Sequence, residues 1–166
     1  MIEYKKLNEF ERDTIYNLLK QAYSFDERFE KTFGESWKSE ADDFFSDNPH
    51  IAEICVFITT LNDEPIGAVM WDPRKIPEEA EIGHNCIIPK YKGLGYGKEQ
   101  MQEAINRILE QGTKKITVST NIGLFPAQQM YEAVGFQEVR RESVEVFPND
   151  WVFYEYQFKN RDTIEI

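Results

Sequence analysis

Residues 91–101 read YKGLGYGKEQM, with glycines at positions 93, 95 and 97, lysines at 92 and 98, and a helix pattern directly after them. Glycine admits positive φ and places no side chain between the backbone and a ligand. The opening N–H groups of a helix have no internal partners and favour an anion. The stretch is built like a phosphate cradle, with Lys92, Gly93, Leu94, Gly95, Tyr96, Gly97 and Lys98 as its candidate residues. Its G-x-G-x-G spacing is not the dinucleotide G-x-G-x-x-G, and Lys98 is followed by Glu99, not by the Ser or Thr of a nucleoside-triphosphate loop. Taken alone, the glycines are as compatible with a plain flexible turn. Just upstream, AEIGHNCI carries three polar residues, Glu81, His84 and Asn85, in an otherwise apolar strand. Carboxylates and imidazoles are groups that move protons.

The elements that must position these residues alternate between strand and helix patterns. Residues 2–7 read as a short strand, and residues 8–23 as a helix with Phe10, Ile15, Leu18, Leu19 and Tyr23 at helical spacing. Residues 27–46 read as a second helix broken at Gly34. IAEICVFITTL (51–61) and PIGAVMW (65–71) read as two strands joined by the turn NDE. The loop DPRKIPEE leads to the fourth strand, residues 80–88. A helix over residues 95–111 is stopped by Gly112. KKITVST is a fifth strand, and FPAQQMYEAV a helix with Pro126 in its first turn and Gly135 at its end. FQEVRRESVEVF and WVFYEYQFK are two last strands around the turn PND. Strict alternation along the fourth strand groups Glu81, Gly83, Asn85 and Ile87 on one face and Ile82, His84, Cys86 and Ile88 on the other; a bulge would break that rule locally.

The 166 residues suit one domain, 1–166, with one core, and 41% hydrophobic residues is globular composition. No apolar run is long enough to span a bilayer, and the first ten residues lack the apolar core of a signal peptide. Cys55 and Cys86 lie in apolar stretches and read as reduced core thiols, not a disulfide or metal pair, so the cytoplasm is the default compartment and no metal is expected. Nineteen basic and 30 acidic residues give a net charge of −11, which disfavours nucleic acid and anionic membrane as partners and attracts cations. Residues 26–47 hold eight acidic and three basic residues. A homodimer is compatible with the sequence, which does not specify one.

KGLGYG fits the pattern Arg/Gln-x-x-Gly-x-Gly/Ala, with Lys92 first, and resembles the acetyl-CoA pyrophosphate loop of the GNAT superfamily of N-acetyltransferases. The preceding IIPKY resembles that family's Val-x-Pro-x-Tyr strand end. PAQQMYEAVGF resembles its second signature, Ala-x-x-x-Tyr-x-x-x-Gly-Phe, through Ala127, Tyr131, Gly135 and Phe136. The order of elements also matches. The resemblance implies an α/β (α+β) fold with a mixed, mostly antiparallel central sheet of about seven strands and helices on both faces. It implies acetyl-CoA as cofactor, held by the loop and by Ile87 and Ile88. It also implies direct attack by a primary amine with base assistance.

In that reading Glu81 matches the base glutamate of the histone-acetylating branch, and His84 is a second candidate base. Tyr131 matches a tyrosine that points its hydroxyl at the departing sulfur, and the backbone amides of residues 85–87 help the oxyanion. The acceptor side falls to the acidic, aromatic stretch 26–47 and the last turn, with Trp37, Trp71 and His84 as substrate candidates. Such walls suit a cationic amine, whether a small molecule or a peptide; polyamines, aminoglycosides and protein lysines or N-termini all remain open. Two departures stand out. Lys92 keeps the charge of an arginine but loses its planar fork. Leu124 stands where many members have Asn, and Asn121 lies further upstream. Two other classes compete, a non-catalytic acetyl-CoA sensor and an interaction module that binds no cofactor. The intact Tyr131 and Glu81 argue against the first, and the intact glycine loop against the second.

Overall fold

Strand and helix periods in the apolar residues are realised as twelve main elements in the computed structural model, which describes residues 1–159. They are β1 (Ile2–Lys5), α1 (Thr14–Ala22), α2 (Glu27–Asp42), α3 (Pro49–Cys55), β2 (Val56–Leu61), β3 (Glu64–Asp72), β4 (Ala80–Ile87), α4 (Tyr96–Glu110), β5 (Ile116–Asn121), α5 (Phe125–Val134), β6 (Phe136–Ser143) and β7 (Asp150–Tyr156). The sheet order is β1-β2-β3-β4-β5-β7-β6. Every neighbouring pair is antiparallel except β4 with β5. Consecutive residues of β4 show that helices cover both faces. His84 meets Glu40 of α2, and Asn85 meets Gln100 of α4.

Three expected elements differ. Residues 51–55 are helix, not strand. Pro49 presets the first helical φ, and Ala52 and Cys55, three apart, turn to the core. The helix expected from residue 8 begins at Thr14, after a single 3₁₀ turn at Leu7–Glu9. Gly34 does not break α2, which runs unbroken from Glu27 to Asp42 with Gly34 buried in it. A Cβ at Gly34 would lie 3.4 Å from Glu30 and 4.0 Å from the Tyr16 ring, so the small residue brings α2 close to α1. Packing of Phe29, Trp37 and Ala41 outweighs the ~1 kcal/mol propensity cost of a helical glycine.

The feature that positions the site is where the parallel pair ends. β4 and β5 pair only at Ala80–Ile116, Glu81–Thr117 and Ile82–Val118. Beyond that, β4 continues alongside β3, while the rest of β5 pairs with β7. The two strands part and leave a gap in mid-sheet. The parting coincides with a bulge: Met70 pairs with His84 and Trp71 with Ile82, so Gly83 has no opposite residue.

A buried amide holds the β3–β4 side of the gap. Gln100, fully buried on α4, accepts from the Thr59 hydroxyl of β2 at 2.6 Å. Its amide nitrogen donates to Asn85 Oδ1 at 2.7 Å, the Ala68 carbonyl at 3.0 Å and the Cys86 carbonyl at 3.2 Å. One side chain thus ties three strands to the helix that follows the glycine loop. Gly67 leaves room for it: a Cβ there would sit 2.4 Å from the Cys86 carbonyl oxygen and 2.7 Å from Gln100 Oε1. Gly67→Ala should therefore lower stability by about 1–3 kcal/mol, the range for overpacking a core. Denaturant unfolding measures this, and an unchanged midpoint would show that Gln100 is not held in place.

Candidate active site

The glycine loop adopts the backbone its sequence suggests. Gly93 has φ +77° and Gly95 φ +89°, the left-handed region where a side chain is strained. Gly95 caps α4, and the first backbone bond of that helix runs from the Glu99 N–H to the Gly95 carbonyl at 3.2 Å. The N–H groups of Tyr96, Gly97 and Lys98 therefore have no intrahelical acceptor. A Cβ on Gly93 or Gly95 would meet no protein atom within 4 Å, so the loop faces open space. Free amides, a helix N-terminus and an unobstructed approach fit a pyrophosphate group.

The gap between β4 and β5 continues from this cradle. The Ile88 N–H donates to the Ile66 carbonyl of β3 at 2.8 Å. Alternation then turns the N–H groups of Asn85 and Ile87 away from β3, toward the gap. On the far side stands Tyr131 of α5, buried beside Phe136 and Tyr154 with ring centroids at 5.9 Å and 5.7 Å. Burial pushes its hydroxyl up to about 12, against the opposing pull of the Asn85 side chain. The group therefore keeps its proton at neutral pH.

A cleft of about 220 Å³ opens from the gap toward α1 and α2. His84, Asn85, Ser119, Thr120, Asn121 and Tyr131 supply its polar groups, and Tyr23, Phe29, Phe33, Trp37 and Trp151 supply rings. Tyr23 stacks on Trp37 at 5.8 Å, and burial holds its hydroxyl well above the ordinary tyrosine range. His84 Nε2 lies 2.7 Å from Glu40 Oε2. With an ionised carboxylate as acceptor, Nε2 carries the hydrogen and Nδ1 is left as the basic atom.

Tyr131, His84 and Trp37 line one cleft, Ile87 lies beside Gly97 of the glycine loop, and the other candidates lie elsewhere. The bulge at Gly83 resets the alternation, so Glu81 shares a face with His84 and not with Asn85. Glu81 is nevertheless exposed, opposite Asp72 and Thr117, and does not line the cleft. Trp71 is buried outside the cleft, with its Nε1 donating to Gln111 at 3.1 Å. The Ile88 N–H is engaged with the Ile66 carbonyl, so it is not free for a cofactor, while its carbonyl already accepts from the Tyr91 N–H. The Lys92 ammonium donates to the Ala22 carbonyl at 2.8 Å and lies over the Phe25 ring, which ties the loop to the end of α1. Asn121 shapes the β5–α5 turn, donating to the Asp150 carbonyl and accepting from the Gly123 N–H.

Two residues, Tyr23 in the cleft lining and Glu40 behind His84, are not legible as site residues in the sequence. Tyr23 appears there only as an apolar helix position, and Glu40 as one of eight acids in its stretch. The only signal for Glu40 is its position three residues after Trp37, on the same side of a helix.

Residues 13–136, more than half of the chain, match the model of the acetyltransferase (GNAT) family. The chain belongs to the GNAT family. That family takes its acetyl group from acetyl-CoA. No curated protein matches the sequence significantly. Among solved structures, the fold is similar to the ribosomal-protein-S18-alanine N-acetyltransferase from Escherichia coli, at 16% identity over 94% of this chain and 93% of that one, with a TM-score of 0.72. It is also similar to a GNAT acetyltransferase from Elizabethkingia anophelis with acetyl-CoA bound, at 15% identity over 95% and 97% of the two chains, TM-score 0.65. A third is a spermidine N-acetyltransferase chimera from Vibrio cholerae and hSSAT, at 21% identity over 93% and 94%, TM-score 0.70. Among the described residues, no helix of this GNAT chain is long and apolar enough to cross a membrane.

The glycine loop makes a direct prediction. Gly95→Ala adds a side chain at φ +89° into the open space of the cradle. Acetyl-CoA affinity measured by calorimetry should fall at least about tenfold, while the melting temperature moves only by the strain of one residue, about 1–2 kcal/mol. Parent-like affinity in the folded variant would remove the loop from the binding site.

Proposed function

We propose that this chain is an N-acetyltransferase that moves an acetyl group from acetyl-CoA to a primary amine by direct attack. The observation that carries the reading is the meeting of three things at one parting of strands. Unpartnered amides lie on one side of it, a protonated tyrosine on another, and a carboxylate-held imidazole on the amine side. Acetyl-CoA, when bound, supplies the acetyl group as an activated thioester.

The amides of Tyr96, Gly97 and Lys98 bind the pyrophosphate without a fixed cationic clamp. The amides of Asn85 and Ile87 offer donors to a carbonyl oxygen that gains negative charge. An alkylammonium must lose a proton before its nitrogen can attack. His84 Nδ1 takes that proton, and Glu40 fixes the ring and steadies the imidazolium, the division of labour seen wherever a carboxylate orients a histidine base. The role falls to His84, since Glu81 is exposed and does not line the cleft. Tyr131 Oη holds a proton for the departing sulfur; with its pKa near 12 it is loaded throughout the working range. The cleft's rings and Glu40 favour an amine that arrives as a cation.

Tyr131→Phe keeps the ring and removes only the proton. It should lower kcat by about 10²–10⁴-fold, the usual size of a general-acid contribution, with acetyl-CoA affinity unchanged. Steady-state thiol release and calorimetry on one preparation decide this. An unchanged rate with reduced thermal stability would make Tyr131 a packing residue, and binding without amine-dependent thiol release from the parent would make the chain a sensor. His84→Gln should slow transfer most at neutral and acidic pH. The loss should shrink as pH rises toward the amine's own pKa, where unprotonated amine is abundant. A pH–rate profile parallel to the parent's would take the base role from His84.

A further inference from the structure

The composition of the cleft's lining defines a substrate class for the acceptor. This inference rests on the acetyl-transfer reading and names its acceptor. The cleft's polar lining is His84, Asn85, Ser119, Thr120, Asn121 and Tyr131. The rest is mainly rings, Tyr23, Phe29, Phe33 and Trp37 from the helical side and Trp151 from β7, with Leu124 and Ala127 beside them. Phe147, from the β6–β7 connection, packs edge-on against Phe29 at 5.0 Å and extends the aromatic wall at the rim.

Charge is scarce in the cleft. Among the described residues, its lining holds no Asp, Glu, Lys or Arg. Glu40, outside that lining, bonds to His84. Arg28, also outside it, lies over Phe147 at 4.5 Å and is held by both carboxylate oxygens of Asp26. One ammonium can therefore be received, beside His84 and Glu40. A second ammonium further out would lose its water among rings, with no carboxylate to meet it. A carboxylate on the substrate would lack an available cation in the lining. A peptide would bring backbone N–H and C=O groups that phenyl rings cannot satisfy. At about 220 Å³ the cleft is also smaller than the roughly 300–1,000 Å³ of sites for drug-sized ligands.

We infer that the acceptor is a small monoamine with an aromatic body and no carboxylate, an arylalkylamine. The ring stacks between Trp37, Phe33 and Trp151, and the aminomethyl end reaches His84. The amine nitrogen takes the acetyl carbon as the carbon–sulfur bond breaks. The ammonium gives up two protons: one goes through His84 to solvent, and the other is balanced by the proton gained on sulfur, leaving an N-acetyl amide and a free thiol.

The test compares 2-phenylethylamine, spermidine, phenylalanine and a short peptide with a free N-terminus, each with acetyl-CoA and thiol release as readout. The expected result is a kcat/KM for 2-phenylethylamine at least about tenfold above each of the others. Phe33→Ala should raise its KM about tenfold, in line with losing the apolar contact of a ring. Quenching of tryptophan fluorescence by 2-phenylethylamine should weaken in parallel in that variant. Equal or faster turnover of spermidine, phenylalanine or the peptide overturns the inference and leaves the acetyl-transfer reading standing. Acetyl-CoA binding with no acetylation of any acceptor contradicts both.

Discussion

The constraint on which the site depends is the limited pairing of β4 with β5. A parallel pair that continued to the ends of both strands would use up the Asn85 and Ile87 amides and close the mid-sheet gap. Here it stops after three pairs, and the freed length of β4 is held from the other side by Gln100. A buried amide of this kind stabilises only when its polar atoms are satisfied. Gln100 meets that condition by engaging β2, β3 and β4 together. Because it sits on α4, the same clamp fixes the helix whose N-terminus forms the proposed cofactor cradle. The cradle, the gap and the Asn85 side chain are thereby held in one rigid relation.

The proposed anion binding by a protein of net charge −11 would rest on the same arrangement. The cradle relies on backbone dipoles, which add no net charge and need no lysine cluster. Lys92, the one basic residue the loop signature places first, instead spends its donor on the last turn of α1. That bond joins the cofactor loop to the helix carrying Tyr23, so the two halves of the site share a support. The acidic excess of residues 26–47 is largely displayed to solvent, and Glu40 is the member that reaches inward.

Local rules carried far in this chain. The helix from Phe125 to Val134, with proline in its first turn and Gly135 at φ +112° after it, matches its sequence pattern end to end. The glycine loop was legible for the same reason: its chemistry is written in consecutive residues. Readings failed where distant packing decided. IAEIC has strand-like composition, but Pro49 and the burial of Ala52 and Cys55 make it helical. Trp71 sits at the end of a strand next to the site, yet the β3–β4 register turns it to the opposite face. Strict alternation sets Glu81 and His84 on opposite faces; the bulge returns them to one face, and the approach of α2 engages His84 alone. The Glu40–His84 pair spans 44 residues and has no local signature at all.

Hydrogen–deuterium exchange with and without acetyl-CoA tests the central claim most directly, because it reads backbone amides one segment at a time. The account predicts slower exchange on binding at residues 85–87 and 93–98, with little change in β1 and β2, which lie at the far end of the sheet. Protection confined to other segments, with residues 85–87 and 93–98 exchanging as in the free protein, would contradict it.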